Sequence, residues 1–107
     1  MANKYHATRC VHDDHTHDSQ AERARCFVLQ HKARLGEIRE LRLHTAWPLN
    51  VNGQRIGLYT DDASYYRADG TFVVEDCKSV ATRRETAYRL RRKLFRAVYG
   101  FDITEVE

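Results

Sequence analysis

The tetrapeptide Arg67-Ala68-Asp69-Gly70 separates two β-rich runs and restricts the possible folds of this chain more than any other segment. Upstream, Ile56 to Tyr66 reads as extended. Downstream, Thr71-Phe72-Val73-Val74 is apolar and closes on Glu75-Asp76-Cys77-Lys78. Asp-Gly between such runs marks a tight turn, so the two must pair antiparallel. Side chains alternate along a strand, which puts Phe72, Val74, Asp76 and Lys78 on one face. A carboxylate and an ammonium then stand together at the end of a strand that starts buried. The hairpin also brings Asp61 or Asp62 towards Asp76. Converging carboxylates repel unless a cation lies between them. This arrangement suits a metal-dependent phosphodiesterase: carboxylate oxygens hold a hard cation such as Mg²⁺, and the lysine polarises water or stabilises a crowded phosphate. From the motif alone, Asp61 and Asp62 read equally as groups that merely solvate a strand or bulge.

Two helices flank these strands. Ser19 and Glu22 make a capping box for a helix over Gln20 to Leu35, which Gly36 ends. Ala24, Phe27, Val28, His31 and Leu35 form its expected buried stripe, bordered by Cys26, Leu29 and Ala33, with Glu22 on that border. Ile38 to Leu43 alternates as a strand with Leu41 and Leu43 inward. Asn52-Gly53 signals another tight turn. Thr82 and Glu85 suggest a second capping box, and Gly100 sits where a left-handed C-cap belongs. Between them Ala87, Leu90, Leu94 and Val98 recur at helical spacing, widened by Tyr88 and Phe95. Phe101 to Val106 alternates as a last strand. The order is helix, several antiparallel strands, helix, strand, which predicts an α/β domain with a mixed sheet flanked by helices.

Charge is concentrated on the second helix. Net charge is +3, yet Arg83, Arg84, Arg89, Arg91, Arg92, Lys93 and Arg96 face a single acid, Glu85, between Ala81 and Tyr99. That excess favours a phosphate-contacting surface over a merely solvated face. Arg89, Arg92 and Arg96 are expected on the open face, with Arg84 and Arg91 nearer the buried border.

With 107 residues and 42% hydrophobic content, there is room for one core. A polar arm, 1–18, precedes a single domain, 19–107. Cys10, His12, His15 and His17 cluster in the arm, but nothing there fixes a ligand geometry, so it reads as a solvated loop. The three cysteines form no Cys-x-x-Cys, so no zinc ribbon is indicated. No stretch is apolar for long enough to cross a bilayer, and the first residues lack a signal-peptide core, so a cytoplasmic location is expected.

The order αβββαβ, with an acid on the second strand and Asp-x-Lys on the third, resembles the core of the PD-(D/E)XK nuclease superfamily, the restriction-endonuclease-like fold. More narrowly, Asp18-Ser19-Gln20-Ala21-Glu22, Gly36-Glu37-Ile38, Val74-Glu75-Asp76-Cys77-Lys78, Arg92-Lys93-Leu94-Phe95 and Tyr99-Gly100 resemble a small phage and prophage family of endonuclease-like proteins. That family is related in architecture to Holliday-junction resolvases. The resemblance implies that Asp62 and Asp76 bind Mg²⁺ or Mn²⁺ and that Lys78 is the catalytic lysine. Glu22 would act through a metal-bound water, and the Cys77 main-chain carbonyl would be an extra ligand. No proline precedes the first acid, which leaves the choice between Asp61 and Asp62 open in register. Asp62 is preferred because the family-like alignment places an apolar residue at 61. The expected function is a Mg²⁺-dependent endodeoxyribonuclease acting on branched or otherwise structured DNA. Arg84, Arg89, Arg91, Arg92, Lys93 and Arg96 would hold the duplex, and a homodimer would cut two strands. The alternative is a catalytically silent nucleic-acid-binding or recombination accessory protein with the same fold.

Overall fold

The computed structural model describes residues 19–106; the polar arm with Cys10, His12, His15 and His17 lies outside them. The elements are α1 (Ser19–Arg34), β1 (Ile38–Leu43), β2 (Ala46–Val51), β3 (Gln54–Thr60), β4 (Ala63–Arg67), β5 (Phe72–Cys77), α2 (Val80–Arg83), α3 (Thr86–Tyr99) and β6 (Thr104–Val106). One sheet has strand order β1-β4-β5-β6, and β2 with β3 forms a separate two-stranded hairpin. β1, β4 and β5 pair antiparallel, whereas β6 runs parallel to β5. The protein is therefore α/β with a mixed sheet and flanking helices. Among the described residues no helix is long and apolar enough to cross a membrane.

Both turns follow their sequence. Asn52 and Gly53 have φ of 52° and 79°, the left-handed pair that a two-residue hairpin loop needs. The Asp69-Gly70 turn joins β4 to β5 in the register Ala63↔Glu75 to Tyr66↔Phe72. Gly100 ends α3 at φ 87°, its N–H reaching the Arg96 carbonyl.

The extended run expected from Ile56 to Tyr66 is two strands. It breaks at Asp61-Asp62, so β3 belongs to the hairpin and β4 to the main sheet. The reason is polar. Asp61 is fully buried and accepts hydrogen bonds from Thr45 N and Trp47 Nε1, both at 2.9 Å. One carboxylate thus clasps the start of the hairpin, and the chain must bend around it. The antiparallel section before the second helix accordingly holds five strands where three were expected.

Adjacent residues of β5 feed different cores, as alternation requires. Val73 packs with Leu29, Ile38, Ala63 and Tyr65 beneath α1. Val74 packs with Leu49, Tyr59, Phe95 and Ile103 beneath α3 and the hairpin. Phe95 is wholly buried and meets the rings of Trp47, Tyr59, Tyr99 and Phe101 at centroid distances of 4.9–5.5 Å.

α1 turns a different face inward from the one expected, whereas α3 turns Tyr88, Leu94 and Phe95 of its expected stripe inward but not Ala87 or Leu90. On α1, Phe27, Val28, His31 and Leu35 are exposed, while Cys26 and Leu29 are buried. Arg25 fixes this rotation by donating from Nε and a terminal nitrogen to the buried Glu75 carboxylate at 2.7 and 3.1 Å; Tyr65 Oη donates to the same group at 2.7 Å. An ion pair cannot be left in a core unmatched, so it outranks the apolar count. On α3 the inward line is Tyr88, Arg92, Phe95 and Tyr99, and Leu90 is exposed. The expected Thr82 cap is also corrected. Ser79 caps the one-turn α2 by accepting from Thr82 N, and Glu85 stands at the N-cap of α3 without a side-chain capping bond.

Arg25→Ala should lower the unfolding free energy by about 3 kcal/mol, because it strands Glu75 in the core with Tyr65 alone. Urea titration checks this. A loss below about 1 kcal/mol would mean that the pair behaves as a surface ion pair.

Candidate functional site

β5 carries the candidate site at its carboxyl end, beside the start of the antiparallel β4. Its side chains sort strictly by parity. Val73, Glu75 and Cys77 face α1; Phe72, Val74 and Asp76 face α3 and the hairpin, with Lys78 just beyond the strand. Glu75 is consumed by Arg25 and Tyr65, which leaves Asp76 as the acid on Lys78's side. Lys78 Nζ stands 3.1 Å from Asp76 Oδ1 and 5.9 Å from the centroid of the Tyr88 ring.

The two neighbouring aspartates diverge at the bend. Asp61 turns into the hairpin, and Asp62 turns towards β5, where its Oδ2 accepts from Cys77 N at 2.7 Å. The chain around it is locked by Asp62 N donating to the Glu75 carbonyl at 3.2 Å. The structure therefore separates the roles of the pair. Asp61 is a clasp, and Asp62 is the acid beside Asp76.

Asp76 is the anomaly. It is 1% exposed, yet neither carboxylate oxygen has a hydrogen-bond donor, since the Lys78 ammonium lies close without aligning. The Tyr59 hydroxyl is also buried and without an aligned partner. Leaving such groups unmet costs roughly 1–3 kcal/mol each. Burial, then the charge of Asp62, pushes the Asp76 carboxyl up to about 7, against the opposing pull of Lys78. Asp62 is raised as well, chiefly by burial, while its contacts with Asp76 and Cys77 N pull it back. The two behave as a pair sharing one proton. Lys78 is held above its usual range: burial works against its charge, but Asp76, Asp62 and Glu22 outweigh it. The lysine stays cationic and is a donor, not a base.

Glu22 joins this group from α1. It is half-buried, lines a small cleft with Asp62 and Cys77, and its charge acts on both Asp62 and Lys78. Among the described residues, however, no three His, Cys, Asp or Glu side chains converge closely enough to hold a metal by themselves. Any ion here would have two carboxylates and main-chain or water oxygens as ligands. Mg²⁺ commonly binds in this way, keeping several waters and taking one or two carboxylates. The donor set is all oxygen, and the orphaned Asp76 oxygens are the kind that such a cation would satisfy.

The basic residues separate into two sets. Arg89, Arg92, Lys93 and Arg96 line a groove of about 370 Å³ between α3 and β6. Arg84 and Arg91 are exposed and do not line it. Contrary to expectation, Arg92 is the half-buried member and Arg91 the open one, because Arg92 lies on the inward line between Tyr88 and Phe95. The sequence reading missed Tyr59, Tyr88 and Glu105. Glu105 pairs in register with Asp76 and accepts from Tyr88 Oη at 2.8 Å; only the parallel β5-β6 pairing reveals it.

Residues 2–104 match the model of a family described as "Protein of unknown function (DUF1064)", and the chain belongs to that family. No curated protein and no solved structure matches it.

The raised Asp76 sets the pH dependence of the metal-free protein. A folded pKa of about 7 against the ordinary aspartate value of 3.8 means that the native state holds the proton more tightly. Its stabilising effect is complete below about pH 4 and is lost as pH rises through 7. Asp76→Asn removes the titration. Its stability relative to wild type should therefore grow from pH 4 to pH 7 by an amount on the order of a few kcal/mol, then level off. Denaturant titrations in EDTA at several pH values measure this. A pH-independent difference would mean that Asp76 is ionised throughout.

Proposed function

Because its family description assigns no activity, we propose from the site itself that this chain is a metal-dependent DNA endonuclease with a restriction-endonuclease-like core. One observation carries the reading. Asp76 is buried at the end of the central strand with no donor aligned on either oxygen, beside Asp62 and a cationic Lys78 at 3.1 Å. A fold keeps so costly a group where a cation or a developing charge compensates it. The parallel strand after the second helix and the acids on consecutive antiparallel strands agree with the resemblance in sequence.

Asp62 and Asp76 would hold Mg²⁺ or Mn²⁺, with the Cys77 carbonyl contributing a further oxygen. Bound there, the ion supplies Lewis-acid charge opposite the scissile phosphate. The chain's own groups do the rest. Lys78, kept protonated by its neighbours, donates to the phosphate oxygens as charge builds in the transition state. Glu22 would orient a water in line with the phosphorus; the water forms the new P–O bond as the P–O3′ bond breaks, its proton passes to solvent, and the departing 3′-oxygen takes a proton from solvent to become the 3′-hydroxyl. Arg89, Lys93 and Arg96 would grip the duplex backbone without reading sequence. Cutting both strands would take two copies of the chain, and DNA as substrate agrees with a cytoplasmic protein. Branched DNA from a phage or prophage setting is the substrate that the resemblance suggests. The second reading, a silent DNA-binding relative, draws support from the lack of a third side-chain ligand among the described residues.

Plasmid and synthetic-junction nicking with Mg²⁺ tests the proposal. Asp62→Asn, Asp76→Asn and Lys78→Met should each lower the rate by at least about 100-fold while folding normally. Asp61→Asn should lose stability through its clasp on Trp47, yet still cleave when folded. Equal activity in wild type and Asp76→Asn would end the proposal, and absence of nicking with retained DNA binding would favour the silent relative.

A further inference from the structure

Glu105 is absent from the family-like motif, and its surroundings are unusual. It is mostly buried at the floor of the α3-β6 groove, which five cations and two carboxylates line. The other acid, Asp102, is spent at the rim in an exposed 2.7 Å pair with Arg96. Glu105 Oε2 accepts from Tyr88 Oη at 2.8 Å. The arginines around it are held less well: Arg92 comes within 3.7 Å of Oε2 and Arg83 within 3.9 Å of Oε1. Both exceed hydrogen-bond range.

Arg92 is the telling member. Its terminal nitrogen reaches the Ile103 carbonyl only at 3.5 Å, and its Nε is buried with no partner. Guanidinium is a rigid fork built to meet two oxygens of one oxyanion. Here it has the charge of a carboxylate nearby and the geometry of none. Tyr88 holds that carboxylate on the far side, under the ring beside which Lys78 sits. Paired residues of adjacent strands project to the same side of the sheet, so Glu105 and Asp76 share a face, one strand spacing apart. Tyr88 lines the groove and has Lys78 Nζ 5.9 Å from its ring centroid, so the groove borders the candidate site.

We propose that this groove is the seat of a DNA backbone phosphate next to the one cleaved, with Arg92 its principal donor, and that Glu105 is the chain's own anion which the phosphate displaces from the arginines. This rests on the nuclease reading for the identity of the anion, and on the groove alone for its position. Glu105 sets a threshold. It keeps Arg92 roughly aimed when no DNA is present, and it lowers affinity for stray phosphates by offering a competing charge. A phosphate that also engages the Asp76 end gains enough contact to displace it.

Equilibrium binding of labelled duplex and junction DNA, measured in EDTA across a salt series, tests this without any cleavage. Glu105→Gln preserves shape and the Tyr88 contact while removing the charge. It should bind every sequence roughly fivefold tighter, as expected from one competing ion pair removed, and the slope of log affinity against log salt should steepen by nearly one. Arg92→Ala should weaken binding, and in that background Glu105→Gln should gain little. Should Glu105→Gln be too unstable to assay, Arg92→Lys keeps the charge but loses the fork. It should weaken binding severalfold at an unchanged salt slope. Wild-type affinity in Glu105→Gln or in Arg92→Lys, or an equal gain with and without Arg92, overturns the proposal. Loss of nicking alone bears on the nuclease reading and leaves this result standing.

Discussion

Asp61 and Asp62 are consecutive, and both turn their carboxylates away from bulk water, but in opposite directions. Asp61 reaches the indole of Trp47 and the amide of Thr45; Asp62 reaches the amide of Cys77. Each supplies an acceptor to donors that would otherwise be left unmet, so the three bonds are obligatory once the core closes. Together they stop one strand, start the next and fasten both to β5. The hairpin's position over α3, the exposure of the β5 terminus and the approach of Asp62 to Asp76 all follow from that divergence. Without it, a single strand would run through this region and its acids would project alternately to the two faces.

The same closure brings three carboxylates into one small region, with the electrostatic cost falling on Asp76. Asp61 and Asp62 have donors, whereas Asp76 has an ion pair that does not align and a neighbour of its own charge. A scaffold under selection for stability alone would replace such a residue with a hydrophobic one of similar volume, often at a gain. Its surroundings are correspondingly firm. The Arg25-Glu75-Tyr65 network fixes α1 against the back of β5, and Phe95 with its ring of aromatics fixes α3 against the front. Asp76 therefore cannot relax towards water or towards a better donor. Rigid support around an unsatisfied charge is what preorganisation requires.

Much of this was legible in the residues. The turns at Asn52-Gly53 and Asp69-Gly70, the cap at Gly100 and the alternation of Val73, Val74, Glu75 and Asp76 depend on local backbone chemistry, which sequence carries directly. Asp76 and Lys78 could be assigned to one face because parity along a strand is independent of what packs on it. The face of α1 was not legible, and that of α3 only in part, through Tyr88, Leu94 and Phe95. On α1, Phe27, Val28 and Leu35 outnumber Cys26 and Leu29, yet one half-buried arginine decides the rotation, and its partner lies 50 residues away. Arg92 was misjudged for a similar reason, since a charged residue on an inward line is read as solvated until a groove is seen. The break at Asp61-Asp62 and the adjacency of Glu105 to Asp76 both arise from strand pairing between distant segments, for which single-sequence periodicity has no signal.

In the proposed reading, the Asp62-Asp76 pair is a cation site whose proton stands in for a metal. Anomalous diffraction from crystals grown at pH 7.5 with Mn²⁺ tests it most directly, because the scatterer is located independently of the surrounding protein. A single strong peak is expected between the two carboxylates, at about 2.1 Å from an oxygen of each, with Lys78 turned away from Asp76. A map in which Mn²⁺ appears only at surface acids, with Asp62 and Asp76 still facing each other and Lys78 still paired, would contradict it.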